Sequence, residues 1–124
     1  MSDKPNALLF TKDAISPVTI ENTDSLDEMR ALLNCQTAQP ATLCDFDGRT
    51  RLMAWFDEDG RIIRDNWPNG QFESWAVSAF EQPATLLGNV ALTIEKGNRT
   101  LPLPEPDSAG NYATALMDMV KQSN

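Results

Sequence analysis

Two Asp-Gly pairs, Asp47-Gly48 and Asp59-Gly60, bracket the strongest strand pattern in the chain and constrain its fold more than any other feature. Gly takes positive φ without a Cβ clash and Asp tolerates the left-handed region, so each pair is a tight-turn signal. The stretch from Ala41 to Gly70 therefore reads as three strands joined by two turns. In its middle strand, Thr50 to Phe56, the side chains of Leu52, Ala54 and Phe56 point one way and those of Arg51, Met53 and Trp55 the other. Both faces carry bulk. One must be core, and the other is to be covered by a helix, a partner or a second subunit.

The flanking segments supply the remaining elements. Ala7 to Phe10 and Pro17 to Glu21 are short apolar runs, the second alternating, and form a first hairpin or one bent strand. Ser25 to Asn34 carries a helix start: Ser25 and Glu28 are spaced as a capping box, Asp24 and Asp27 favour the positive end of the macrodipole, and Leu26, Met29, Leu32 and Leu33 share a face. Asn34 to Pro40 ends that helix. Ile62 and Ile63 continue the meander as a short strand before the loop Asp65 to Gly70. Gln71 to Glu81 is a second helix with Phe72, Trp75, Ala76, Ala79 and Phe80 on one face, stopped by Pro83. Ala84 to Glu95 is a strongly apolar central strand, its Gly88-Asn89 pair marking a bulge or the close approach of another backbone. Lys96-Gly97-Asn98 is a turn, residues 97–110 form a Pro-rich connector running over the surface, and residues 111–121 a third helix bearing Tyr112, Ala115, Leu116, Met119 and Val120 on one face. Residues 1–6 are polar and expected to fray.

At 124 residues the chain is one domain, residues 1–124. The expected class is α+β: an antiparallel sheet of about four to six strands with two or three helices packed mainly on one face. Eighteen acidic against ten basic residues give a net charge of −8, which repels nucleic acid as a whole, so nucleic acid is not expected as the primary partner. No apolar run approaches the ~18 residues that span a bilayer, so no membrane partner is expected. The N-terminus lacks a secretory pattern, which predicts a cytoplasmic protein with Cys35 and Cys44 as reduced thiols. Two Cys and no His make a structural zinc cage implausible, and neither a metal nor a cofactor is expected.

No Ser-His-Asp set, Cys-His pair or phosphate-binding Gly-rich loop is present, so no catalytic residue is assigned and a binding protein is expected. Asp57, Glu58 and Asp59 stand together, but a DEDG run between strands is explained by turn chemistry. The bases are more informative. Four of the six arginines, Arg49, Arg51, Arg61 and Arg64, fall between residues 49 and 64, beside Trp55 and Trp67. Arginine and indole on an exposed sheet face can hold a small ligand, nucleotide or single strand by phosphate contact and stacking. The plainer alternative is a solvated face on which these arginines pair with Asp45, Asp47, Asp57, Asp59 and Asp65.

The order of a short strand, the capped helix SLDEMRALL, the hairpin FDEDGRI, the loop NWPNG and the closing strand LLGNVALTI resembles a small domain-of-unknown-function family of phage and plasmid accessory proteins. The resemblance covers about residues 17 to 95. It implies a mobile-element origin and a protein that binds and modulates or inhibits a bacterial protein or complex, for instance a host defence system. It carries over no site residues. The bulk on both faces of Thr50 to Phe56 adds the expectation of a homodimer.

Overall fold

An almost continuous apolar strand must have both backbone edges paired and both faces covered, and β5 (Val90–Lys96) meets each demand. The computed structural model describes residues 4–21, 26–57, 68–81, 86–106 and 111–123. Within them six strands form one antiparallel sheet in the order β2-β1-β5-β4-β3, with a short β6 also on β5. One edge of β5 pairs with β4 (Thr50–Asp57), from Thr50 opposite Lys96 to Trp55 opposite Ala91. The other edge is shared end to end. β1 (Ala7–Phe10) takes Val90 to Leu92, and β6 (Arg99–Leu101) takes Ile94 to Lys96.

The two outer strands are β2 (Ile15–Val18), hairpinned to β1, and β3 (Ala38–Asp45), hairpinned to β4. Each contains a proline, Pro17 and Pro40, tolerated there because an edge strand has donors to spare and useful because it blunts further pairing. Between Thr42 and Cys44 the register of β3 slips at a bulge, and Leu43 and Cys44 both pack against the same core.

That core lies on one face of the sheet, under α2 (Gly70–Phe80) and α3 (Tyr112–Gln122). Leu8, Phe10, Leu52, Leu92 and Ile94 from the strands meet Phe72, Trp75, Leu116 and Val120 from the helices. Each such side chain contributes roughly 1.5–3 kcal/mol by leaving water. Phe10 packs edge-on to Phe72, with ring centroids 5.6 Å apart, and to Trp75 at 5.8 Å. α1 (Leu26–Leu33) covers part of the opposite face with Met29 and Leu33, against Ala7, Ile20 and Ala91. Two helices thus share one face and the third sits alone on the other. The bulk on the second face of β4, from which a homodimer is expected, finds its cover in part within the same chain. Cys35 and Cys44 are free thiols packed on opposite faces.

Several expectations shift at the boundaries. Lys4 to Asn6 are tied down rather than frayed: the Asn6 side chain donates to the Ile20 carbonyl at 2.9 Å and accepts from the Ile20 N–H at 2.7 Å. The 97–110 connector begins as strand β6, and Leu103 is buried in the core, its N–H donating to the Pro5 carbonyl at 2.9 Å. Glu28 accepts from the Glu21 N–H at 3.0 Å, which ties the start of α1 to the end of the β2 segment. Ser25, the Asp59-Gly60 turn, the Ile62-Ile63 strand and Pro83 lie outside the described residues.

Asn69, read from sequence only as part of a turn-rich loop, is fully buried. Its side-chain oxygen caps α2 by accepting from the Phe72 N–H at 3.0 Å, while its amide nitrogen donates to the carbonyls of Phe10 (2.9 Å) and Gly88 (2.8 Å). One side chain therefore joins helix, β1 and the entry to β5. Asn69→Ala removes a cap of about 1 kcal/mol and deprives two buried carbonyls of a donor, so the expected loss is about 2–4 kcal/mol. Urea unfolding checks this, and a loss near 1 kcal/mol would mean that only the cap counts.

Candidate functional site

The β3–β4 connection is built by two carboxylates. Asp45 accepts from the Gly48 N–H at 2.6 Å, and Asp47 accepts from the N–H groups of Arg49 (2.9 Å) and Thr50 (2.7 Å). Gly48 supplies the positive φ, +84°. At the same end of the sheet the β5–β6 hairpin turns through Gly97-Asn98, with Gly97 at φ +61° and Lys96 opposite Arg99. Because Thr50 faces Lys96 across the β4–β5 ladder, the two turns stand side by side.

Between them opens a groove of about 720 Å³ on the face that α1 leaves uncovered. Arg49, Arg51, Lys96 and Arg99 line its turn end; Met53, Trp55 and Pro40 line its other end. A Cβ built on Gly48 or Gly97 would meet nothing within 4 Å, so a ligand could approach both backbones closely. Arg51 and Trp55 are four residues apart on one strand, about 13 Å. Trp55 is half-buried, and its indole N–H donates to the buried Thr93 hydroxyl at 2.9 Å, which fixes the ring. Glu95 is the carboxylate in the lining, and the Thr100 hydroxyl lies 3.0 and 2.9 Å from its two oxygens.

The four cations are not consumed by the fold. The ion pairs at Lys4–Glu105 (3.2 Å) and Arg30–Asp27 (3.5 Å) lie elsewhere, and among the described residues Arg49, Arg51, Lys96 and Arg99 form none. Asp45 and Asp47, expected partners on a solvated face, accept from the loop backbone instead.

Of the six residues singled out from sequence, the structure brings Arg49, Arg51 and Trp55 to one groove; Arg61, Arg64 and Trp67 lie outside the described residues. Lys96 and Arg99 were missed, because the segment after Lys96 read as a connector. A two-residue Gly-Asn turn flanked by Lys and Arg is the signal that would have found them. No group of three or more Cys, Asp or Glu among the described residues is placed to hold a metal ion, and no helix there is long and apolar enough to cross a membrane. No family model, no curated protein and no solved structure matches the chain.

The Asp47 carboxyl is held below its ordinary value of 3.8, first by the Arg49 and Thr50 N–H bonds, which outweigh the opposing effect of burial, with lesser help from the Thr50 hydroxyl and the charge of Lys96. A depressed folded-state pKa contributes stability that is present above the unfolded value and lost as pH falls through the folded one. The difference in unfolding midpoint between wild type and Asp47→Asn is therefore expected to be widest near neutral pH and to close below pH 3.8.

Proposed function

We propose that the protein is a binding module and that the groove holds a nucleotide-sized ligand, phosphate at the turn end and planar base against Trp55. The observation that carries this reading is the set of four cations without ion-pair partners that line one end of a groove whose other end is aromatic. Arg51 lies on the face of Trp55, and Lys96 and Arg99 come from the flanking β5–β6 turn, in register with Thr50. Arginine and lysine there supply charge-assisted bonds to phosphate, and the indole supplies a stacking surface worth about 1–3 kcal/mol per base. A volume of about 720 Å³ is on the scale of small-ligand sites, and a chain of net charge −8 opposes a long polyanion while a local basic groove still draws a short one. A mononucleotide is therefore preferred to a nucleic-acid strand. The expectation of a phage or plasmid accessory protein acting on a bacterial macromolecule assigns no residue to a contact, whereas the groove does.

Thermal unfolding with the four nucleoside 5′-diphosphates tests the reading. A ligand at 100 times its Kd is expected to add about 2.7 kcal/mol, with Arg51→Ala and Trp55→Ala each weakening binding about tenfold. No shift with any diphosphate, or a shift unchanged in both variants, would overturn it. A shift confined to a single-stranded oligonucleotide would reassign the groove to nucleic acid.

A further inference from the structure

The turn end of the groove holds a carboxylate among its cations, and a carboxylate there repels the anion that its neighbours attract. The β4–β5 register sets Glu95 opposite Arg51, so the two side chains leave the same face of the sheet as neighbours. They form no ion pair. On its other side Glu95 stands opposite Thr100 of β6, whose hydroxyl lies 3.0 and 2.9 Å from the two carboxylate oxygens and holds them there. A hydroxyl has one proton, so the carboxylate keeps acceptor capacity while Arg51 keeps its donors. A set of donors and an acceptor thus stand side by side where the phosphate is seated.

We propose that Glu95 makes the turn end selective for a phosphate that still carries a proton, over sulfate and other tetrahedral anions that carry none. The inference rests on the nucleotide reading above. A group seated across Arg51 and Glu95 has to accept from the guanidinium and donate to the carboxylate. The terminal phosphate of a nucleoside diphosphate does both, because a phosphate monoester gives up its last proton only around pH 6. Its bare oxygens accept from Arg51, and its P–OH donates to Glu95. A sulfate of the same shape has no proton to give at that pH, so it sets a lone pair against a carboxylate oxygen. Charge draws any small anion to the groove, and the one acceptor among the cations sorts those anions by their protons.

Titration at about pH 6 without divalent cations, pairing each nucleoside 5′-diphosphate with the 5′-phosphosulfate of the same nucleoside, compares ligands that differ in the terminal central atom and in that proton. The wild-type protein is expected to bind the diphosphate about tenfold tighter or more, because an acceptor left facing a lone pair loses a hydrogen bond. Glu95→Gln puts an amide donor beside the anion, so the phosphosulfate is expected to gain affinity and come within about twofold of the diphosphate, which an effect on folding alone would not produce. Thr100→Val releases the carboxylate toward Arg51 and is expected to lower the preference several-fold. It serves as the second variant if Glu95→Gln does not fold. Equal binding of the two ligands by the wild type, a preference untouched by both substitutions, or a preference that appears only once magnesium is added would overturn the inference and leave the nucleotide reading standing. Absence of binding by every diphosphate and phosphosulfate would overturn both.

Discussion

The backbone of β5 cannot leave a polar group unpaired, and most of the architecture answers that requirement. Its two edges need partners along the whole strand. β4 fills one, but the other is filled by two separate pieces, β1 from the start of the chain and β6 from near its end. These pieces abut, so the N-terminal and C-terminal segments meet, and the Leu103 N–H to Pro5 carbonyl bond closes the seam. Asn69 works at the opposite end of the strand, where the Gly88 carbonyl and the Phe10 carbonyl both come within reach of its amide. Helix cap and sheet edge are thus one hydrogen-bonded unit, and neither forms fully without the other.

The same sheet is covered unequally. α2 and α3 bury one face, including the bulkiest aromatic group of the core, while α1 has eight residues and shields only the part near Met29 and Leu33. Trp55 is partly packed against the cluster under α1, and what lies beyond that helix on the same face is Met53 and Arg51. The charge there runs against the whole. In a chain with eight more acids than bases, the acids nearest the groove are occupied: Asp45 and Asp47 by the loop N–H groups, Glu95 by Thr100. The arginines and lysine beside them form no ion pair among the described residues, and the charge of Lys96 acts within the chain on Asp47.

Most of the fold was legible because period and turn chemistry agree. Leu52 and Ala54 face one way and Arg51 and Met53 the other, as alternation requires, and the 3.6-residue periodicity placed Phe72, Trp75, Leu116 and Val120 in the core. What stayed hidden depends on long-range pairing. The three residues of β6 carry no strand pattern of their own, and they become strand only because the exposed edge of β5 beyond Leu92 has to be filled. Leu103, between two prolines, looks like part of a surface connector, yet the bond to Pro5 turns it inward. Asn69 shows the limit at a single residue. Asn in a turn-rich loop is ordinary, and nothing nearby in sequence announces that its donors go to Phe10 and Gly88.

The groove was half legible for the same reason. Arg49, Arg51 and Trp55 belong to one hairpin, so local alternation is enough to set them together. Lys96 and Arg99 join them only through two registers, Thr50 opposite Lys96 and Lys96 opposite Arg99. Strand side chains repeat every two residues, so a slip of two would keep every residue on its face and preserve the core pattern, yet carry Arg99 about 7 Å along the sheet and dissolve the basic end. The Gly97-Asn98 turn forbids that slip on one side, since a two-residue loop admits one register. On the other side, Leu52 opposite Ile94 and Ala54 opposite Leu92 lock β4 to β5 through the core. The charge constellation of the groove is therefore set by packing on the far face of the sheet, and a core substitution there that shifts the register would erase the site without touching any residue that lines it.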